Sequence, residues 1–240
     1  MTHIREILSS TTHRPYLLPK GNWWYYQEWN HALFLHWQVP YELLRPYVPA
    51  KLQIDRFKGQ CYISLVAFTM EHIRPRYLPA IKFISEFHEV NIRTYVTNQE
   101  KQGVYFLSIE AEKFLSTHIA KSLSGLPYQK ATIKRTAQEY HCSNKETGNY
   151  FDCSFELGKE FQDKPLLHQW LTERYCLYLE GGNKLYRYDI HHKEWILKEA
   201  SIKSVALNYS VGNIRLTETP DLVHYSEGVK VLSWKKQELV

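Results

Sequence analysis

The segment "HEVNIRTYV", residues 88–96, alternates Val90, Ile92, Thr94 and Val96 with Glu89, Asn91, Arg93 and Tyr95. A two-residue period sets the first group on one face of a β-strand and the second on the other. The apolar face needs a core to cover it, so this stretch commits the chain to a sheet with a packed side. The other face has two solutions: water, or the inside of a closed sheet around a ligand. Glu89, Asn91 and Arg93 therefore decide whether the fold has an interior site.

The flanking sequence extends the β reading. "NWWYYQEW" and "ALFLHWQV" read as one or two long strands, and "PYELLRPYVP" as a short helix framed by Pro40 and Pro49. "CYISLVAFTMEHI" is nearly continuous in apolar residues and predicts a strand buried on both faces, followed by the proline-punctuated loop "RPRYLP". "GVYFLSIE" pairs with residues 88–96 across "TNQEKQG". Phe114, Leu115, Ile119 and Leu123 recur at helical spacing, with Gly125 and Pro127 as the stop. "ATIKRTAQEYHC" and "YFDCSFEL" form a hairpin, and Asp163 with Pro165 starts a helix carrying Leu166, Leu167, Trp170 and Leu171. "RYCLYLEGGNKLYRYDI" turns at Gly181, Gly182 and Asn183, and "HHKEWIL" leads to final strands ending "GVKVLSW". Antiparallel pairs without a strand-helix-strand rhythm predict a mainly β (α+β) fold: an antiparallel β-barrel or sandwich with a few peripheral helices. The 15% aromatic content suits such strands, and 240 residues suit a single domain over 1–240 with a loosely ordered segment at 1–12.

Several functions are disfavoured. The net charge of +5 is spread along the chain with no run of five basic residues, which argues against nucleic acid as a partner. No stretch approaches the length of a membrane span or a signal-peptide core, so the expectation is a cytoplasmic protein without a membrane partner. Cys61, Cys142, Cys153 and Cys176 contain no C-x-x-C pair. A hairpin turning around Thr147 and Gly148 sets Cys142 opposite Cys153, although a reducing compartment disfavours a bridge there. The 12 histidines, His31, His36, His88, His191 and His192 among them, show no metal-ligand spacing, so neither a metal nor a cofactor is expected. There is no G-x-S-x-G elbow and no phosphate-cradling loop.

Arg93 remains as a clamp for a carboxylate, which guanidinium grips through two parallel hydrogen bonds. Glu89 and Asn91 are polar orienters, and burial suits Glu89 to general base catalysis. His36, within "FLHW", reads first as a hydrogen-bonded core histidine and is kept among the ligand-binding candidates. The aromatic run "NWWYYQEW" is the alternative focus, as a partner surface or homo-oligomer interface of a non-catalytic interaction protein.

"HRPYLLPKGNWWYYQEWNHALFLHWQVP", "FTMEHIRPRYLP", "FHEVNIRTYV", "SGLPYQKA", "LTERYCLY", "HHKEWIL" and "HYSEGVKVLSW" together resemble the YqjF-like bacterial proteins, a domain of unknown function. That family is similar in turn to the acetoacetate decarboxylase superfamily. The resemblance implies an antiparallel β-barrel around a small-molecule cavity, lined by residues 88–96, with Glu89 at the superfamily's cavity glutamate. The decarboxylase forms a Schiff base from a lysine activated by burial and a neighbouring cation. It carries two consecutive lysines after a Gly-x-Pro turn, where this chain has Tyr128 and Gln129. Lys130 lies two residues past the reactive position, which on a strand moves the amine by about 6.6 Å. The sequence thus supports a small organic carboxylate or carbonyl ligand held by Arg93, Asn91, Tyr128 and Gln129, with catalytic candidates Glu89 and Lys130. The alternative enzyme is a Schiff-base decarboxylase or lyase using Lys130.

Overall fold

The computed structural model describes residues 2–112, 126, 128–181, 184–216 and 219–239. The helix expected from Phe114, Leu115, Ile119 and Leu123, with its stop at Gly125 and Pro127, lies outside these residues, as do Gly182 and Asn183 of one expected turn. The described strands are β1 (Tyr25–Val39), β2 (Gln53–Ile54), β3 (Cys61–Pro75), β4 (Phe87–Asn98), β5 (Lys101–Ala111), β6 (Tyr128–Lys130), β7 (Thr132–Arg135) and β8 (Glu139–Ser143). They continue with β9 (Tyr150–Glu160), β10 (Cys176–Gly181), β11 (Lys184–His192), β12 (Lys198–Val211), β13 (Ile214–Leu216), β14 (Leu222–Ser233) and β15 (Gln237–Leu239). Helices are short: α1 (Thr2–Ser9), α2 (Tyr41–Leu44) running into a 3-10 turn, α3 (Lys82–Ser85) and α4 (Leu166–Thr172). The mainly β expectation holds.

Strand pairing runs β11–β10–β5–β4–β3–β1–β14, and β14 returns to β11 through Ile190↔Ser233, His191↔Leu232 and His192↔Val231. The pairings therefore close on themselves. Within this ring all pairings are antiparallel except β5–β10, a short parallel contact at Val104↔Leu177 and Tyr105↔Tyr178, and β6 adds to β5 in parallel outside it. From β14 the sheet continues through β12, β9, β8 and β7. That layer packs on the outer faces of β1, β3 and β4, where Leu33, Leu35, Ile63, Leu65, Val90 and Ile92 share a core with Tyr140, Phe151, Phe155 and Tyr209. Each such side chain contributes about 1.5–3 kcal/mol by leaving water.

Long strands curve around the ring at bulges. "NWWYYQEW" and "ALFLHWQV" form one strand, β1, whose pairing with β3 slips between Asn30 and Leu33, where His31 has φ 55°. A second slip lies between Tyr26 and Glu28, opposite His72 of β3 with φ 52°. An extra residue in one strand raises local twist and bends the ribbon.

Three elements differ from the sequence reading. Residues 2–9 form α1 rather than a loose terminus, because Ile4, Ile7 and Leu8 fall at helical spacing and pack on Trp23, Tyr26, Leu232 and Trp234. "ATIKRTAQEYHC" is not one strand but β7 and β8, turned where the Thr136 amide donates to the Glu139 carbonyl at 3.0 Å. Cys142 faces Phe151, and Cys153 faces Tyr140, so the two thiols are not opposite each other. The Asn144 side chain accepts from the Glu146 amide at 3.0 Å and sets a longer turn closing on Asn149, which shifts the register by two. All four cysteines are free and buried.

The parallel β5–β10 contact depends on Gly103. An added Cβ there would lie 2.5 Å from the Cys176 carbonyl oxygen and 2.9 Å from the Tyr178 ring. Gly103→Ala should therefore lower stability by about 2 kcal/mol through overpacking, read as a lower denaturant midpoint at unchanged slope. An unchanged midpoint would contradict this close approach.

Candidate functional site

The inner faces of the ring strands enclose a cavity of about 480 Å³. Register explains its lining. Phe34, Val66 and Asn91 are neighbours across β1, β3 and β4, and all three face inward. Leu35, Leu65 and Ile92, one residue along each strand, face the outer core. Both faces of "HEVNIRTYV" are thus buried, with Glu89, Asn91 and Arg93 on the cavity side.

Leu78 and Ile81 line the cavity yet are 59% and 61% exposed, which marks its mouth between β3 and α3. Phe87 follows that segment, and Arg93 lies six residues farther along β4, about 20 Å of strand. Arg93 is therefore deep. Beside the polar stripe of β4 stand Trp29, Phe34, Phe68, Met70 and Trp195, an aromatic-rich wall.

Glu89 is buried, accepting from Asn91 Nδ2 at 3.0 Å and from the Tyr128 hydroxyl at 3.0 Å. Burial raises its pKa to about 7, outweighing those two hydrogen bonds and the attraction of Arg93. The Arg93 guanidinium lies 5.6 Å from the centre of the Phe34 ring and forms no ion pair among the described residues, and its Nε lacks a hydrogen-bond partner. Burial lowers its pKa, Tyr95 opposes this, and Arg174 adds to the lowering. It stays charged nonetheless.

Arg174, just past α4, is the other buried guanidinium of a lining that also includes the half-buried Arg74. It pairs with Asp55 at 2.6 Å and lies 4.3 Å from the centre of the Trp170 ring, while its Nη2 has no hydrogen-bond partner. His192, at the end of β11, donates from Nδ1 to the Lys193 carbonyl at 2.7 Å, and its Nε2 is unpartnered. Burial lowers the His192 pKa and favours the neutral ring.

The other candidates are distributed unevenly. Tyr128 lines the cavity, but Gln129 and Lys130 are exposed and outside the lining, and Gln129 bonds to Asn144 at 3.1 Å. Among the described residues lining the cavity there is no lysine. His36 is fully buried outside the lining, sharing hydrogen bonds with Ser64 Oγ at 2.6 Å and His224 at 3.1 Å. Of the aromatic run, Trp23 and Tyr26 are buried, Trp29 faces the cavity, and Trp24 is 44% exposed beneath Lys235. Arg174 and His192 are cavity residues that local patterning does not identify. Their segments, "LTERYCLY" and "HHKEWIL", carry no periodic signal for an inward face.

No helix among the described residues is long and apolar enough to cross a membrane. The sequence profile of DUF2071, described as an uncharacterized conserved protein, matches residues 26–230. The chain is 38% identical over 225 residues to the uncharacterized protein YqjF of Bacillus subtilis (strain 168), covering 90% of this chain and 93% of that protein. Among solved structures, it resembles the enduracididine biosynthesis enzyme MppR complexed with pyruvate, with TM-score 0.62 and 10% identity over 96% of this chain and 95% of that one. It also resembles an acetoacetate decarboxylase-like enzyme from Sphingomonas wittichii RW1, with TM-score 0.60 and 14% identity over 94% of this chain and 97% of the other. At such identities the structural likeness establishes the fold alone.

Proposed function

The chain belongs to the DUF2071 family, and on that premise we propose that it binds a small organic carboxylate or carbonyl compound inside its strand-lined cavity. One observation carries this reading: two buried guanidiniums, Arg93 and Arg174, line the same cavity, and Arg93 has no ion-pair partner among the described residues. A buried cation is costly without a counter-charge, and a bound carboxylate supplies one with two hydrogen bonds. The solved relative holding pyruvate has a carboxylate and an adjacent carbonyl in a protein of this fold, which supports the same ligand class here.

Glu89 and Tyr128 give the site a proton-handling pair. A carboxyl poised near neutral pH is matched to general acid or base work, so any chemistry here would move a proton at Glu89. The exposed position of Lys130 gives no support to a Schiff-base route through that residue. An anion near Glu89 favours its protonated form. Affinity for a carboxylate should therefore fall as pH rises through about 7.

The test is a thermal-shift screen of small carboxylates, keto acids and their uncharged analogues on native protein and Arg93→Met. Ligands that bind the folded state raise its midpoint. Carboxylates should stabilise the native protein and bind a still-folded Arg93→Met roughly 10- to 100-fold more weakly, the loss expected for a hydrogen-bonded charge. Equal shifts in both proteins, or none from any carboxylate, would overturn the reading.

A further inference from the structure

The cavity is too large and too apolar for a three- or four-carbon acid. At ~30 Å³ per water-sized group, 480 Å³ accommodates about sixteen non-hydrogen atoms. A short acid seated on Arg93 would leave Trp29, Phe34, Phe68 and Met70 facing water that finds few polar partners there, whereas apolar cavities hold water poorly. Arg93 lies deep, and the mouth carries Leu78 and Ile81 beside the half-buried Arg74, whose guanidinium lies over the Tyr26 ring. Glu89, between them, already has both oxygens hydrogen-bonded and asks nothing of a passing chain.

Resting on the binding reading above, we propose that the ligand is a monocarboxylate with an apolar tail of roughly eight to twelve carbons, its head on Arg93 and its tail running along the aromatic wall toward Leu78 and Ile81. The head group supplies orientation, and most of the affinity comes from the tail leaving water.

The experiment is a chain-length series, from acetate through butyrate, octanoate and dodecanoate to octadecanoate, with phenylbutyrate and the matching alcohols. Binding is followed below micelle-forming concentrations by tryptophan fluorescence, which Trp29 and Trp195 place at the wall. Affinity for the native protein should rise about fourfold per methylene and stop rising at about sixteen non-hydrogen atoms. The alcohols should bind more weakly than the acids, and Arg93→Met should erase that difference. Met70→Trp, which adds bulk to the inner wall opposite Phe87, should move the break to shorter chains. The native series needs no variant to be decisive. Arg93-dependent binding of butyrate with no gain out to dodecanoate would overturn the tail and leave the carboxylate reading standing. Acids of no length binding, or all binding equally well to Arg93→Met, would remove both.

Discussion

Between pH 4.5 and 7 the native protein should lose about 3 kcal/mol of stability relative to Glu89→Gln, and above that range the two curves should run parallel. The folded-state pKa of Glu89, about 7, lies above the ordinary 4.5. Below 4.5 the carboxyl is neutral in folded and unfolded chains alike, and the advantage of holding it neutral is fully present. As pH rises toward 7 the unfolded chain releases its proton and the folded one retains it. That advantage is then lost, and a glutamine undergoes no such change. The comparison matters because buried histidines act in the opposite direction. Burial lowers the pKa of His224 to about 3 and of His191 to about 4, so their contribution is present above the ordinary 6.5 and lost as pH falls. Denaturant midpoints of both proteins at half-unit steps from pH 4.5 to 8 measure the difference. Parallel curves throughout would mean that Glu89 is ionised normally and its surroundings are wet.

Tyr209→Phe should cost about 3 kcal/mol, although Tyr209 is far in sequence from β4 and absent from the cavity. Its hydroxyl donates to Glu110, a fully buried carboxylate that also accepts from Asn144 at 2.8 Å and Asn149 at 3.4 Å, with the Cys142 thiol at 3.5 Å. This network ties β5 to the turn between β8 and β9 and to β12, joining the ring to the layer packed on it. Removing the hydroxyl leaves a Glu110 oxygen short of a hydrogen bond where water cannot reach it. Thermal and denaturant unfolding of the variant would measure the loss, and a change under 0.5 kcal/mol, the scale of ordinary surface substitutions, would contradict the assigned bond.

How much of this was legible in the sequence depends on the range over which each signal acts. The alternation in "HEVNIRTYV" is local and survives folding: Val90 and Ile92 enter the outer core, and Glu89, Asn91 and Arg93 turn to the other face. The continuous apolar run of β3 likewise reports burial on both sides. What closes the ring is not local. Arg174 and His192 reach the cavity because β10 and β11 bridge β5 and β14, pairings between segments distant in the chain. The Cys142 register turned on one Asn144 side chain, which lengthened a turn and shifted each opposing pair by two. Lys130 follows Tyr128 by two residues on β6, yet only Tyr128 is enclosed, since that three-residue strand leaves the cavity wall at its end. Glu110 gave no sign of burial because its partners come from three separate strands and turns.

The most direct measurement is a crystal structure of the protein with whichever carboxylate stabilises it most in the screen. The ligand should lie inside the cavity, with its carboxylate within hydrogen-bond distance of the Arg93 guanidinium and its remaining atoms against Phe34 and Phe68. A ligand seated outside the ring of strands, or inside it with the carboxylate turned away from Arg93, would rule out carboxylate binding through Arg93.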